Sequence, residues 1–102
     1  MDKFLNLLGM CRKAGRLSCG HDAAIESIVK NKAALCVVSS SASQRLINEM
    51  QHACTYDNKN IRFITLSYTT PELTQATGTK AAVLTVDDEG FAKKLISLYA
   101  NE

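Results

Sequence analysis

The chain has 102 residues and a mass of 11.1 kDa, enough for one hydrophobic core and one domain over residues 1–102. Apolar residues make up 46% and charged residues 22%, which excludes long disorder, and no apolar stretch approaches the roughly 20 residues that cross a bilayer. The net charge of +2 does not by itself demand a nucleic-acid partner, but the basic residues concentrate in the first third, where Arg12, Lys13 and Arg16 fall close together.

Asp2 can cap a first helix whose apolar positions, Phe4, Leu5, Leu8 and Cys11, recur at helical spacing. That helix ends at Ala14-Gly15 with cations in its last turn, where the helix dipole favours them. Arg16 to Cys19 is a short extended piece. Gly20-His21-Asp22 opens a second helix with Ile25, Ile28 and Val29 facing inward, and it stops near Asn31. Ala34 to Val38 is a continuous apolar run and reads as a buried strand. Ser41 and Gln44 have capping-box spacing ahead of a helical stripe of Leu46, Ile47, Met50, Ala53 and Cys54. A turn at Asp57 to Asn60 leads to a strand from Ile61 to Leu66. Thr70-Pro71-Glu72 then starts a short helix that Gly78 ends. Ala81 to Val86 is a further strand. Asp87-Asp88-Glu89-Gly90 caps the last helix, which buries Phe91, Leu95, Leu98 and Tyr99.

Strands alternate with helices and are apolar on both faces. This predicts an α/β fold, a three-layer α/β/α sandwich around a mixed sheet of about four strands. Ligands of such sheets bind at strand ends, against the adjoining helix N-termini.

The sequence carries no constellation for catalysis. It has no Walker loop, no Gly-x-Gly-x-x-Gly, no Gly-x-Ser-x-Gly elbow and no His-Glu-x-x-His. Cys11, Cys19, Cys36 and Cys54 lack the close pairing of a zinc knuckle or a redox Cys-x-x-Cys, and His21 and His52 are isolated. No metal, cofactor or small-molecule substrate is therefore expected, and the cysteines read as small hydrophobes of a cytoplasmic protein. The apolar stretch from Phe4 to Cys11 is followed, not preceded, by its basic cluster, which is the wrong order for a secretory signal.

The segment from Arg12 to Asp22 is the most informative. Three cations precede a helix that begins with glycine. Helix N-termini offer free N–H groups to phosphate oxygens, and glycine permits another backbone to come close. Side chains of the first turn can meet base edges while lysine and arginine hold phosphates.

The whole chain resembles bacterial members of the L7Ae/L30e ribosomal-protein family, the kink-turn RNA binders. The residues that carry the likeness are Leu8-Gly9, then Arg12-Lys13-Ala14-Gly15-Arg16-Leu17, then Glu72-Leu73-Thr74-Gln75-Ala76-Thr77-Gly78, and finally Val86-Asp87-Asp88-Glu89-Gly90-Phe91-Ala92-Lys93-Lys94-Leu95. The resemblance implies an L30e-like fold and a non-catalytic, ribosome-associated RNA binder of structured, kink-turn-like RNA. Lys13, Arg16 and Lys80 would hold phosphates, Gly20 would admit the RNA backbone, and His21 and Asp22 would touch bases or sugar. Where typical members read Gly-Thr-Asn-Glu-x-x-Lys, this chain reads Gly20-His21-Asp22-Ala23, with Glu26 in place of the Lys. Asp22 accepts hydrogen bonds but cannot donate as Asn does, and Glu26 puts an anion beside RNA. Ala23, which removes an acceptor, and Glu26 motivate a second reading, a protein-interaction module on the same scaffold.

Overall fold

The computed structural model describes residues 2–100. Its elements are α1 (Lys3–Lys13), β1 (Leu17–Cys19), α2 (His21–Val29), β2 (Leu35–Val38), α3 (Gln44–Thr55), β3 (Arg62–Thr65), α4 (Thr70–Thr77), β4 (Val83–Val86) and α5 (Glu89–Ala100). A 3-10 turn, Tyr56–Asn58, joins α3 to β3, with Asp57 and Asn58 both at positive φ.

The strands form one mixed sheet in the order β1-β4-β2-β3. β2 and β3 are parallel, with Leu35 opposite Arg62 and Val38 opposite Thr65. β4 runs antiparallel to both of its neighbours, pairing Leu17 with Val86 on one side and Val38 with Val83 on the other. The extended piece after the first helix is thus an edge strand. The two central strands are buried throughout, as continuous apolar runs require. β3, at the other edge, exposes Arg62 and Thr65.

Side chains along β2 alternate between two cores. Leu35 and Val37 join Phe4, Leu8, Leu73, Leu84, Val86 and Leu95 beneath α1, α4 and α5. Cys36 and Val38 join Ala24, Ile28, Met50, Cys54 and Val83 beneath α2 and α3. Each fully buried Leu, Val or Phe contributes about 1.5–3 kcal/mol. The first core includes an aromatic cluster, in which the Phe4 ring lies 5.5 Å from both Tyr68 and Tyr99. α1 and α4 cross closely. A Cβ on Gly9 would stand 2.7 Å from the carbonyl oxygen of Ala76.

Asp2 caps α1 as its position predicts, accepting from the backbone of Phe4 and Leu5. Four expectations are corrected. Ser43, not Ser41, caps α3, accepting from Leu46 N–H at 3.1 Å; Ser41 instead accepts from Thr70 N–H, tying the starts of α3 and α4 together. Val29 does not face inward. It is 65% exposed, because α2 turns Ala24, Ser27 and Ile28 to the sheet. Asp88 alone caps α5, accepting from Phe91 N–H, whereas Asp87 turns back to the sheet. Leu98 is only half-buried, while Tyr99 packs against the core.

Candidate nucleic-acid interface

Topology decides where a ligand can bind. β1, β2 and β3 all oppose β4, so they finish at the same end of the sheet. Each is followed by a helix, so the N-termini of α2, α3 and α4 gather there. Backbone hydrogen bonds knit this end together. Gly20 N–H donates to Val83 O at 2.9 Å, Ser39 N–H to Ala82 O at 2.9 Å, and Ser40 N–H to Tyr68 O at 2.8 Å. The partial positive charges of three helix starts therefore face one surface, which suits an anion.

The start of α2 differs from its neighbours. α1, α3 and α4 are capped by the side chains of Asp2, Ser43 and Thr69. α2 begins at Gly20, which makes no side-chain cap. Its φ of 94° and ψ of 165° lie in a region that is essentially reserved for glycine. Nothing stands within 4 Å of where its Cβ would be, so the helix start is open to an approaching backbone. His21, Asp22 and Ala23, in the first turn, are all exposed.

Beside this opening lies the loop from Gly78 to Ala82, which leads α4 into β4. Arg12 reaches it from α1 and donates to Thr77 O at 3.2 Å and to the Thr79 hydroxyl. An uncapped glycine start and an arginine-held loop thus meet at the end of one mixed sheet.

The chain belongs to the ribosomal protein L7Ae/L30e/S12e/Gadd45 family. The family model matches residues 2–96. The chain is 30% identical over 92 residues to RNA-binding protein YlxQ of Enterococcus faecium, covering 90% of this chain and 86% of that protein. Among solved structures it is similar to a Bacillus halodurans protein of unknown function, at a TM-score of 0.89 and 25% identity, over 98% of this chain and 99% of the other. The 15.5kD RNA binding protein of Giardia lamblia shares the fold at a TM-score of 0.75 and 15% identity, over 95% and 82% of the two chains.

On this L7Ae-type fold the six residues singled out from the sequence do not form one cluster. Gly20, His21 and Asp22 stand together at the α2 start. Lys80 lies on the loop at the same end of β4, lining a hollow of about 470 Å³ with Thr70, Thr74 and Gln75. Lys13 lines a second hollow between α1 and α4, of about 310 Å³, which also includes Gln75. Arg16 is at the opposite end of β1, where its carbonyl accepts from Asp87 N–H at 2.8 Å.

His21 is not a free side chain. Its Nδ1 is 2.9 Å from Asp22 Oδ1, and its Nε2 is 2.8 Å from Glu49 Oε2 on α3. These hydrogen bonds, to Asp22 first and then Glu49, raise its pKa above the ordinary histidine value. Glu26 is held 2.6 Å from Lys30, one turn on, and that contact holds its carboxyl below the usual range. The anion that replaces the family's lysine therefore carries its own counter-charge.

Two residues of the site escape a reading of the sequence as motifs. Arg12 belongs to the visible basic cluster, but its partners lie 65 and 67 residues away. Glu49 gives no local signal, since it sits on an exposed helix face 28 residues from His21. Cys11, Cys36 and Cys54 are buried, and Cys19 is half-buried. Burial, followed by the charges of Asp87 and Asp88, pushes the Cys11 thiol up to about 12. The neighbouring Cys54 sulfur and burial push Cys36 up as well.

Proposed function

We propose that this protein is a non-catalytic, cytoplasmic RNA-binding protein of ribonucleoprotein assemblies, which takes structured, kink-turn-like RNA against the start of α2 and the 78–82 loop. The observation that carries this reading is the α2 start, left without a side-chain cap at a glycine whose conformation only glycine holds cheaply. Family membership and the name of the Enterococcus faecium relative support it. The RNA backbone approaches Gly20, with the N–H groups of the first turn directed at a phosphate or a base edge. Asp22, fully exposed, accepts from guanine amino groups. Lys80 and Lys13 hold phosphates along the outer side of α4. Arg16, at the far end of β1, meets RNA only where the footprint runs past that strand.

Fluorescence anisotropy tests the reading. Labelled kink-turn RNA and a plain duplex of equal length are titrated at two salt concentrations. Selective binding of the kink-turn RNA is the expected result. Equal, salt-sensitive binding of both would reduce the protein to a general phosphate binder. Changing Lys13 and Arg16 together to Glu should weaken binding and flatten the salt slope by about 0.7–0.9 for each phosphate no longer neutralised. An unchanged affinity would remove both residues from the interface.

A second reading, a protein-docking role on the same scaffold, draws on a groove of about 300 Å³ between α2 and α3, lined by Ile25, Val29, Ala53 and Tyr56. Val29 and Tyr56 are among the exposed large hydrophobics. Absence of binding to either RNA, with recovery of one protein partner after nuclease treatment, would favour it.

A further inference from the structure

We infer that Glu49 of α3 is a specificity-determining residue of this RNA-binding surface, acting with Asp22 through the ring of His21 so that the protonation of that ring sets the affinity for RNA. The inference rests on the reading of the α2 start as the RNA face. The geometry is specific. A carboxylate oxygen stands at hydrogen-bond distance from each ring nitrogen, 2.9 Å from Nδ1 and 2.8 Å from Nε2. Carboxylates only accept, so both contacts are satisfied together only when both nitrogens carry protons, that is, in the imidazolium form. A neutral ring keeps one donor and leaves a lone pair facing the other carboxylate.

The charged groups that face the ring are Asp22 on its own helix and Glu49 on α3. Arg12, from α1, is directed to Thr77 and Thr79 instead. Gly20 and Val83, where the sheet meets α2, bring no charge. With the ring protonated the trio carries one net negative charge; with the ring neutral it carries two. The uncompensated charge stands beside the first turn of α2, the place proposed for RNA. The contacts raise the histidine's pKa, and a bound polyanion favours the proton further. Affinity is therefore highest below the titration of His21 and falls as pH rises through it. The fall should be about fivefold, the effect of one unit charge near contact in water.

Glu49 also changes what the surface can read. A ring bonded at both nitrogens offers none to a base. Discrimination then falls to the second oxygens of Asp22 and Glu49, which accept from amino groups such as those of guanine.

The test uses the whole protein and labelled kink-turn RNA, with anisotropy read from about pH 6 to about pH 8.5, on either side of the ordinary histidine range. Wild type should bind about fivefold more tightly at the acid end. Glu49→Gln, which leaves one carboxylate on the ring, should bind more tightly than wild type at the alkaline end, with its fall in affinity moved to lower pH. His21→Asn should abolish the dependence, and His52→Gln, altering the other histidine, should leave it intact. Alongside, NMR titration of His21 in the free protein should show a lower midpoint in Glu49→Gln. RNA binding that does not vary with pH in wild type would overturn the inference and leave the RNA reading standing. An unshifted His21 midpoint in Glu49→Gln would also overturn it. No RNA binding at any pH would overturn the RNA reading itself, and this inference with it.

Discussion

Two helix starts at opposite ends of the same pair of strands are built in opposite ways. α2 leaves β1 through Gly20, which has no side chain to cap the helix. α5 leaves β4 through Asp87 and Asp88, whose carboxylates are both engaged. Asp88 accepts from Phe91 N–H at 2.9 Å. Asp87 accepts from the hydroxyls of Ser18, Ser27 and Thr85, which come from β1, α2 and β4. The α5 end is closed to anions by two carboxylates and internally satisfied. The α2 end has no side-chain cap at Gly20, and the loop that carries Lys80 stands beside it. A helix start is a potential anion site in every α/β fold, and what makes one a site is the absence of the protein's own cap.

Breaking the closed end should have the largest effect. Asp87→Ala leaves three hydroxyls without their shared acceptor, two of them on the buried Ser27 and Thr85. A destabilisation of about 3 kcal/mol in urea denaturation is expected, with RNA affinity unchanged. At the open end, Gly20→Ala should cost about 2 kcal/mol, although its methyl group meets nothing, because the backbone there sits in a region essentially limited to glycine. It should also lower RNA affinity in the anisotropy assay, as the methyl group fills the space in front of the helix. If Gly20→Ala weakened stability alone, the contrast between the two starts would concern folding and not binding. Asp88→Ala removes one ordinary cap and should cost about 1 kcal/mol, read as a small fall in Tm.

The least effect at neutral pH, growing with alkali, comes from Cys11. Its thiol is pushed up to about 12 by burial and then by Asp87 and Asp88. A raised folded-state value adds stability that is complete below the ordinary thiol range, from about pH 9 down, and is lost as pH rises through about 12. Denaturation midpoints should therefore fall above about pH 9, and more gradually in Asp88→Asn, which removes one of the charges that raise the value.

Much of this is legible in the residues, and the reasons are local. The Asp2 cap, the Pro71-to-Gly78 helix and the apolar runs of β2 and β4 follow from short-range chemistry, and each sits within a residue or two of its expected place. The misreadings share a cause. Ser41 and Asp87 both look like helix caps, because serine and aspartate near a helix start usually are. Each is claimed instead by a distant partner, Thr70 for Ser41 and Ser18 with Ser27 for Asp87, across 29, 69 and 60 residues. Val29 fits a helical stripe, yet α2 is rotated to place Ala24 and Ile28 on the sheet. Arg16 and Lys13 read as one basic cluster with Gly20, and β1 then carries Arg16 away from it.

By itself the sequence determined the α/β alternation, the family motifs and the glycine at the start of α2, because caps, periodicity and turn chemistry act over a few residues. Only the tertiary structure decided which side chains surround that glycine. The order β1-β4-β2-β3 brings three helix starts to one end, sets Glu49 against His21 and leads Arg12 to the 78–82 loop. Those contacts join residues far apart in the chain, and no local rule of spacing encodes them.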